Sequence, residues 1–156
     1  MLTKTSISAV RALLVIAGQE SVPLWSPRRL AELLNESATY MAKVVRHLVR
    51  VGILHAERGA KGGVALAKPP EVVRLLDIVE ACQGTVVGDY CRSSPGLLTP
   101  CPFHRASFEL HQAITGVLAR WSLAALLAEP SSAYEMCRME GVPQPLAIRL
   151  RSSIRS

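Results

Sequence analysis

Residues 25–52, WSPRRLAELLNESATYMAKVVRHLVRVG, decide the fold, because they contain two amphipathic helical patterns separated by a very short turn. Ser26 is a typical N-cap, and Pro27 after it is favoured at the first helical position. Ser37 is the N-cap predicted for the next helix, which we expect to end just before Gly52. This arrangement predicts a helix-turn-helix motif, whose second helix can lie in the major groove of DNA.

The second of these helices has two distinct faces. Its apolar residues recur at the spacing of a buried helical face, and these residues are Met41, Val44, Val45 and Leu48. The opposite face carries cations and hydrogen-bonding groups without any acid, namely Thr39, Lys43, Arg46, His47 and Arg50. We refer to these last five residues as the basic stripe and predict that they bind DNA.

The start of the same helix supplies further candidate contacts. Ser37 is expected to lie beside the DNA, and Thr39 and Tyr40 in the first turn are expected to reach base edges. His47 has two interpretations, because a histidine beside Arg46 can face DNA or can simply be a solvated neighbour of the cations.

Residues 53–69, ILHAERGAKGGVALAKP, predict a β-hairpin directly after this helix. The expected strands are 53–56 and 64–66, and the glycine-rich turn between them carries Arg58 and Lys61. A hairpin with cations at its tip is typical of the wing of a winged helix, because a narrow minor groove attracts arginine and lysine. A phosphate-binding loop is not favoured, since the glycines lack the Lys-Ser/Thr ending of that motif.

The charge distribution agrees with an N-terminal half of the chain that binds a polyanion such as DNA. The net charge of +6 arises within residues 1–68, which contain ten Lys and Arg against four Asp and Glu. A basic face that serves only solubility is the alternative interpretation. About half of the residues are apolar and only 4% are aromatic, which indicates a helix-rich aliphatic core of mainly α class.

The N-terminal apolar run ISAVRALLVIAG is predicted to be a helix over about residues 5–18. Arg11 interrupts it and it is too short to cross a bilayer, so we expect a cytoplasmic protein without a membrane partner. We expect the chain to divide into a DNA-binding domain (1–82), a cysteine loop that acts as sensor (83–102), a dimerisation helix region (103–128) and a mobile tail (129–156).

The second half is predicted to contain two helices around an irregular loop. The first should extend from Pro70 to about Cys82, whose thiol is expected in the core. The second should begin near Phe103 and continue past Trp121. This helix has an apolar stripe that is too long for one small domain to cover, which predicts a homodimer. The stripe consists of Leu110, Ala113, Ile114, Val117, Leu118 and Trp121.

The order of these segments resembles a known family. The wing RGAKGGVALAKP is followed by VVRLLDIVEACQG, a cysteine loop and a long helix that ends in WSLAALL. Over about residues 2–127 the chain is similar to the Rrf-two-type winged-helix transcriptional regulators, the group of IscR, NsrR and CymR. The resemblance implies a winged helix-turn-helix fold and a homodimeric bacterial regulator that binds palindromic double-stranded DNA.

The resemblance also implies an iron–sulfur cluster in the loop. Cys91, Cys101 and His104 match three ligand positions of the cluster-binding members, while SSPGLL occupies the place of the middle cysteine. A cluster needs a fourth ligand, which would be Cys82, a carboxylate, a residue of the partner subunit or a small molecule. The loop would then report iron–sulfur, nitric oxide or redox status.

Two other interpretations of the loop stay open. Cys91 and Cys101 can form a thiol switch, because cysteines at a helix N-terminus have lowered pKa values, or the loop can be inert. Zinc is not expected, since Cys-x9-Cys-x2-His lacks the short paired spacing of structural sites. An enzyme with a small-molecule substrate is not expected either, because no nucleophile–base pair or cofactor motif is present. A winged helix used only for protein–protein contact would show no salt-dependent DNA affinity.

Overall fold

The computed structural model describes residues 2–19, 21–59, 62–86 and 102–128. These residues form a mainly α-helical winged helix-turn-helix, as the sequence predicted. The elements in chain order are α1 (Lys4–Gly18), α2 (Pro27–Leu34), α3 (Ala38–Arg50), β1 (Leu54–Glu57), β2 (Gly63–Leu66), α4 (Leu75–Gln83), α5 (Pro102–Arg120) and α6 (Leu123–Ala128). None of the helices in these ranges is long and apolar enough to cross a membrane.

The two predicted N-caps of the helix-turn-helix are confirmed. The Ser26 hydroxyl accepts a hydrogen bond from the backbone N–H of Arg29, and the Ser37 hydroxyl accepts one from that of Tyr40, each 3.2 Å long. Asn35 between the helices adopts φ 53°, a left-handed conformation that asparagine tolerates better than most residues. This residue lets α2 stop and α3 start within three positions.

Helix α1 lies at the centre of the core and packs against α2, α3, α4 and α6. Its Ala12 and Leu13 are completely buried. The predicted apolar face of α3 is buried against them, with Met41, Val44 and Leu48 at 0% exposure and Val45 at 5%. Cys82 of α4 is half-buried against the same core, which confirms its predicted place there.

The wing is an antiparallel hairpin that pairs Leu54 with Leu66 and Glu57 with Gly63. Its strands are shifted from the prediction by one residue at three of their four ends. Ile53 falls outside β1 because its N–H bonds to the Leu48 carbonyl (3.0 Å) and closes the end of α3. Gly59 has φ 124°, a conformation that favours glycine, and its carbonyl accepts from the Gly62 N–H at 3.0 Å.

Helix α4 begins five residues later than predicted. Residues 70–74 do not continue it, because the Val72 N–H bonds back to the Pro69 carbonyl (3.1 Å) and the chain then becomes extended. Arg74 is the N-cap, and its N–H donates to the Asp77 carboxylate at 3.2 Å. A helix over residues 70–74 was therefore a wrong prediction.

The prediction that one helix runs past Trp121 was also wrong. Helix α5 ends at Arg120, and α6 starts at Leu123. The break arises because the chain pairs with the segment before α4: the Leu75 N–H donates to the Trp121 carbonyl (3.0 Å), and the Leu123 N–H donates to the Val73 carbonyl (2.8 Å). The Ser122 hydroxyl then caps α6 by accepting from the Ala125 N–H at 3.1 Å.

The apolar stripe of α5 is only partly covered by the described residues. Leu118 is buried at 7% exposure, whereas Leu110 and Val117 are 58% and 47% exposed. Phe103 and Phe108 on the same helix are 66% and 53% exposed. Phe103, Leu110 and Val117 are seven positions apart and share one face of α5, and large apolar side chains exposed along one face are typical of an interaction surface.

Candidate nucleic-acid interface

The basic stripe lies on the outward face of α3. Thr39, Lys43, Arg46 and Arg50 are exposed, at the spacing that aligns side chains along one side of a helix. Helix α3 contains no acidic residue in its 13 positions, so no carboxylate of its own helix neutralises these cations. The structure therefore brings the predicted cations together on one surface.

His47 lies half-buried beside Arg50, and the Arg50 Nη2 donates to its Nδ1 at 3.4 Å. Burial lowers the pKa of His47, and the positive charges of Arg50, Lys43 and Arg46 lower it further. These effects favour the neutral imidazole, whose Nδ1 can accept the hydrogen bond from the Arg50 guanidinium.

Tyr40 does not share the orientation of the stripe. Its ring is half-buried against the core, its hydroxyl lies 3.5 Å from the Thr5 hydroxyl of α1, and the Lys4 ammonium lies 5.1 Å from the ring centre. The structure thus places the Tyr40 side chain at the contact of α3 with α1. Ser37 is exposed, with its hydroxyl engaged as the cap of α3.

Sequence reasoning missed Glu36 and its partners in α1. The Glu36 carboxylate forms an ion pair with Lys4 at 3.2 Å and accepts from the Ser8 hydroxyl at 3.3 Å. The spacing of these residues along the chain gives no sign of this contact, because α1 and the α2–α3 turn meet only in the folded protein.

The wing places one predicted cation on the surface. Arg58 is exposed directly after β1, and Lys61 lies outside the described residues. Glu57, which precedes Arg58, is exposed, and its carboxylate lies 3.6 Å from the His55 Nε2. Glycine is required at position 62, since a Cβ there would lie 2.4 Å from the Glu57 carbonyl oxygen.

The predicted metal ligands are only partly within the described residues. Cys91 and Cys101 lie outside them, and His104 is half-buried in the first turn of α5. Within the described ranges no three His, Cys, Asp or Glu side chains come together as a metal site. Burial raises the pKa of the Cys82 thiol, which disfavours the thiolate that a metal needs.

Known proteins with this architecture include bacterial regulators. The fold is similar to CymR (YrzC), the global cysteine regulator of B. subtilis, with a TM-score of 0.67 and 21% identity over 82% of this chain and 96% of that chain. The oxidized form of Staphylococcus aureus CymR gives a TM-score of 0.66 and 22% identity, over 83% of this chain and 97% of that one. T. potens IscR is similar with a TM-score of 0.64 and 22% identity, over 90% of this chain and 93% of that chain.

These identities establish a shared fold, and a family model establishes the relationship. The model of the Rrf2 family, described as iron-dependent transcriptional regulator, matches residues 2–129, which include the helix-turn-helix, the wing and α5. The match spans most of the 156 residues. This chain therefore belongs to the Rrf2 family of transcriptional regulators.

Proposed function

We propose that this regulator binds palindromic operator DNA as a homodimer, with α3 in the major groove and the wing at the minor groove. The observation that carries the proposal is the exposed, acid-free basic stripe on the outward face of a buried-core helix. Regulation of transcription takes place on the chromosome, so we infer a cytoplasmic protein that acts by binding and not by catalysis.

Each predicted DNA-binding residue has a role in this proposal. Lys43, Arg46, Arg50, Arg58 and Lys61 would contact phosphates, since ammonium and guanidinium groups position a protein on the duplex without reading its sequence. Thr39 and Ser37 at the start of α3 would lie against base edges and sugars. His47 would join the phosphate contacts. The half-buried ring of Tyr40 supports a role in holding α3 in place.

The homodimer would form through α5. Phe103, Leu110 and Val117 each expose about half or more of their surface, and a second copy of the same helix would cover them. A two-fold dimer presents two copies of α3 to the DNA, which is why the operator would be palindromic. Since α5 is joined by backbone bonds to the segment before α4, movement within the dimer would reach the DNA-binding half.

The signal would be read by an iron–sulfur cluster held by Cys91, Cys101 and His104. Two thiolates and an imidazole are a donor set that iron–sulfur centres accept, so these residues fit the cofactor as far as three ligands. When bound, the cluster would supply a reaction with oxidants or nitric oxide that changes its charge and ligation. His104 stands at the start of α5, where a change in ligation would act on the dimer helix.

The fourth ligand is not Cys82 in this proposal. Its half-buried thiol packs against the core, and burial raises its pKa. A carboxylate, the partner subunit or a small molecule would complete the site.

A second candidate is a thiol switch without a cluster, or a repressor that needs no ligand. The presence of three candidate ligands instead of four favours the thiol switch.

The salt dependence of DNA affinity tests the core of the proposal. Arg46→Ala should weaken binding to duplex DNA and should flatten the plot of log affinity against log salt by about one unit, because one phosphate contact is lost. Arg120→Ala in the last turn of α5 is the matched control and should leave the slope unchanged. A wild-type protein that binds DNA with no salt dependence would overturn the proposal.

A further inference from the structure

The start of α1 is held by the last residue of α4. The Gln83 Oε1 accepts hydrogen bonds from the Thr3 N–H (3.0 Å) and from the Ser6 hydroxyl (2.8 Å). Thr3 is the N-cap of α1, and Ser6 in its first turn is completely buried. The Ser6 hydroxyl also lies 2.9 Å from the Thr3 hydroxyl, so the Gln83 amide oxygen binds two residues that already contact each other. Breaking these part-buried hydrogen bonds to Gln83 has a cost, which favours a fixed relative position of the first turn of α1 and the end of α4.

The N-terminal part of α1 also holds the residue before α3, which we call the recognition helix because the proposed function places it in the major groove. Lys4 forms an ion pair with Glu36 at 3.2 Å, and the buried Ser8 donates to the same carboxylate at 3.3 Å. The Glu36 side chain is only 13% exposed, so its carboxylate depends on these two partners. Glu36 directly precedes Ser37, the N-cap of α3.

A second contact reaches α3 itself. The Tyr40 ring lies 5.1 Å below the Lys4 ammonium, and its hydroxyl lies 3.5 Å from the Thr5 hydroxyl. Residues 3–8 of α1 therefore contact the end of α4 on one side and the start of α3 on the other.

The chain beyond Gln83 leads to the predicted sensor. Gly84 follows it with φ 79°, and the segment that carries Cys91 comes next in the sequence. A displacement of the chain after Gly84 would act first on Gln83. That side chain would then either break the hydrogen bonds from Thr3 and Ser6 or move the first turn of α1 with it.

We propose that Gln83 is a positioning residue that couples the cysteine segment to the recognition helix through the first turn of α1. The coupling runs from Gln83 to Thr3 and Ser6, and from there through Lys4, Thr5 and Ser8 to Glu36 and Tyr40. The inference rests on the proposed function, because it takes α3 as the DNA-reading element and residues 91–104 as the sensor.

Amide hydrogen exchange tests the structural half of the coupling without DNA. Gln83→Met removes the acceptor but keeps the length and helix propensity of the side chain, and Gln83→Glu keeps an acceptor oxygen. Gln83→Met should speed exchange at the Tyr40 and Met41 amides by about fivefold or more, a factor typical of coupled sites. The Arg29 and Leu30 amides at the start of α2 should not change.

The controls separate positioning from general destabilisation. Gln112→Met makes the same replacement on the exposed face of α5 and should leave the α3 amides as in the wild type. Gln83→Glu should restore most of the protection. Ser6→Ala removes one of the two donors and should reproduce part of the Gln83→Met effect if that variant fails to fold. Unchanged exchange at the start of α3 in folded Gln83→Met would overturn the coupling.

Measurements of DNA affinity test whether the coupling transmits a signal. The probe is a palindromic duplex that the wild-type protein selects from a random library. Replacing Cys91 and Cys101 by serine should change the affinity in the wild-type background but not in Gln83→Met. An equal change in both backgrounds would overturn the coupling. No change in the wild-type background would contradict the proposed sensor, and the exchange experiment would still decide whether Gln83 positions α3.

Discussion

Trp25 and Val64 exchange both of their backbone hydrogen bonds, each 2.9 Å long, so the chain that enters α2 forms a single antiparallel bridge to β2 of the wing. Trp25 is 1% exposed, and the Arg29 guanidinium lies 4.7 Å from the centre of its ring. The wing is therefore fixed to the helix-turn-helix by backbone bonds and a buried aromatic side chain. The exposed Arg58 directly after β1 is therefore carried by a firmly attached hairpin.

Gly62→Ala should destabilise the protein by about 1–3 kcal/mol, the usual cost of forcing an extra carbon into a packed site. The new Cβ would lie 2.4 Å from the Glu57 carbonyl oxygen and 2.9 Å from that of Gly59, and backbone atoms cannot move aside cheaply. Urea unfolding measures the change in the free energy of unfolding.

Gly116→Ala is the matched control for the wing. No atom lies within 4 Å of the added carbon in α5, and alanine favours a helix by about 1 kcal/mol over glycine. This variant should be at least as stable as the wild type. Equal stability of the two alanine variants would contradict the crowding at position 62.

Val117→Glu should convert a dimer into folded monomers, because Val117 is 47% exposed and a charge there would face the partner helix. Leu118→Glu should instead unfold the protein, since Leu118 is 7% exposed. Sedimentation with circular dichroism separates the two outcomes. Ala119→Glu, on an exposed neighbouring position, is the control and should remain dimeric. A wild-type protein that sediments as a monomer would be incompatible with the dimer proposal.

Affinity for DNA should rise as the pH falls from about 7.5 to about 5.5, the range in which histidines take up a proton. In the free protein, burial and the nearby Arg50, Lys43 and Arg46 lower the pKa of His47, which favours the neutral imidazole. Phosphates favour the protonated form and raise this pKa in the complex, so a proton is taken up on binding. His47→Gln should remove this part of the pH dependence.

His55→Gln is the control for the titration. His55 is exposed and lies beside Glu57 on the wing, away from the three cations of α3. Its replacement should leave most of the pH dependence in place. If His47→Gln titrates like the wild type, the imidazole does not lie at the phosphates.

Protein purified without oxygen should be brown, with absorbance between about 320 and about 460 nm from charge transfer between sulfur and iron. Cys91→Ala and Cys101→Ala should each remove the colour, and His104→Ala should shorten its lifetime. Cys82→Ala should keep it, because the Cys82 thiol is half-buried in the core. Iron-free protein after anaerobic reconstitution would favour the thiol switch, which titration of free thiols before and after mild oxidation detects.

The features that the sequence predicted correctly are those set by neighbouring residues. Ser26 and Ser37 cap their helices through atoms three positions away, and the buried face of α3 follows directly from its spacing. The basic stripe was visible for the same reason. Local chemistry thus predicted the helix-turn-helix and most of the candidate DNA surface.

The features that the sequence did not reveal depend on contacts between distant segments. The break after Arg120 and the extended chain before α4 both involve the backbone pairing of residues 73–75 with 121–123, which adds to the turn at Pro69–Val72 in delaying the start of α4. The contact of Glu36 with Lys4 and Ser8, and that of Gln83 with Ser6, likewise join separate elements. No periodicity along the chain reports such pairs.

Part of the join between α5 and the segment before α4 is made by backbone atoms, and this has a consequence for the substitutions that the join tolerates. The N–H groups of Leu75 and Leu123 and the carbonyls of Val73 and Trp121 form it. Every amino acid except proline supplies the two N–H groups, so these hydrogen bonds persist when a side chain at one of the four positions changes, whereas the packing of the buried Leu118 depends on its side chain. Proline at position 75 or 123 would remove one donor and loosen the attachment of α5 even where the side-chain packing is kept.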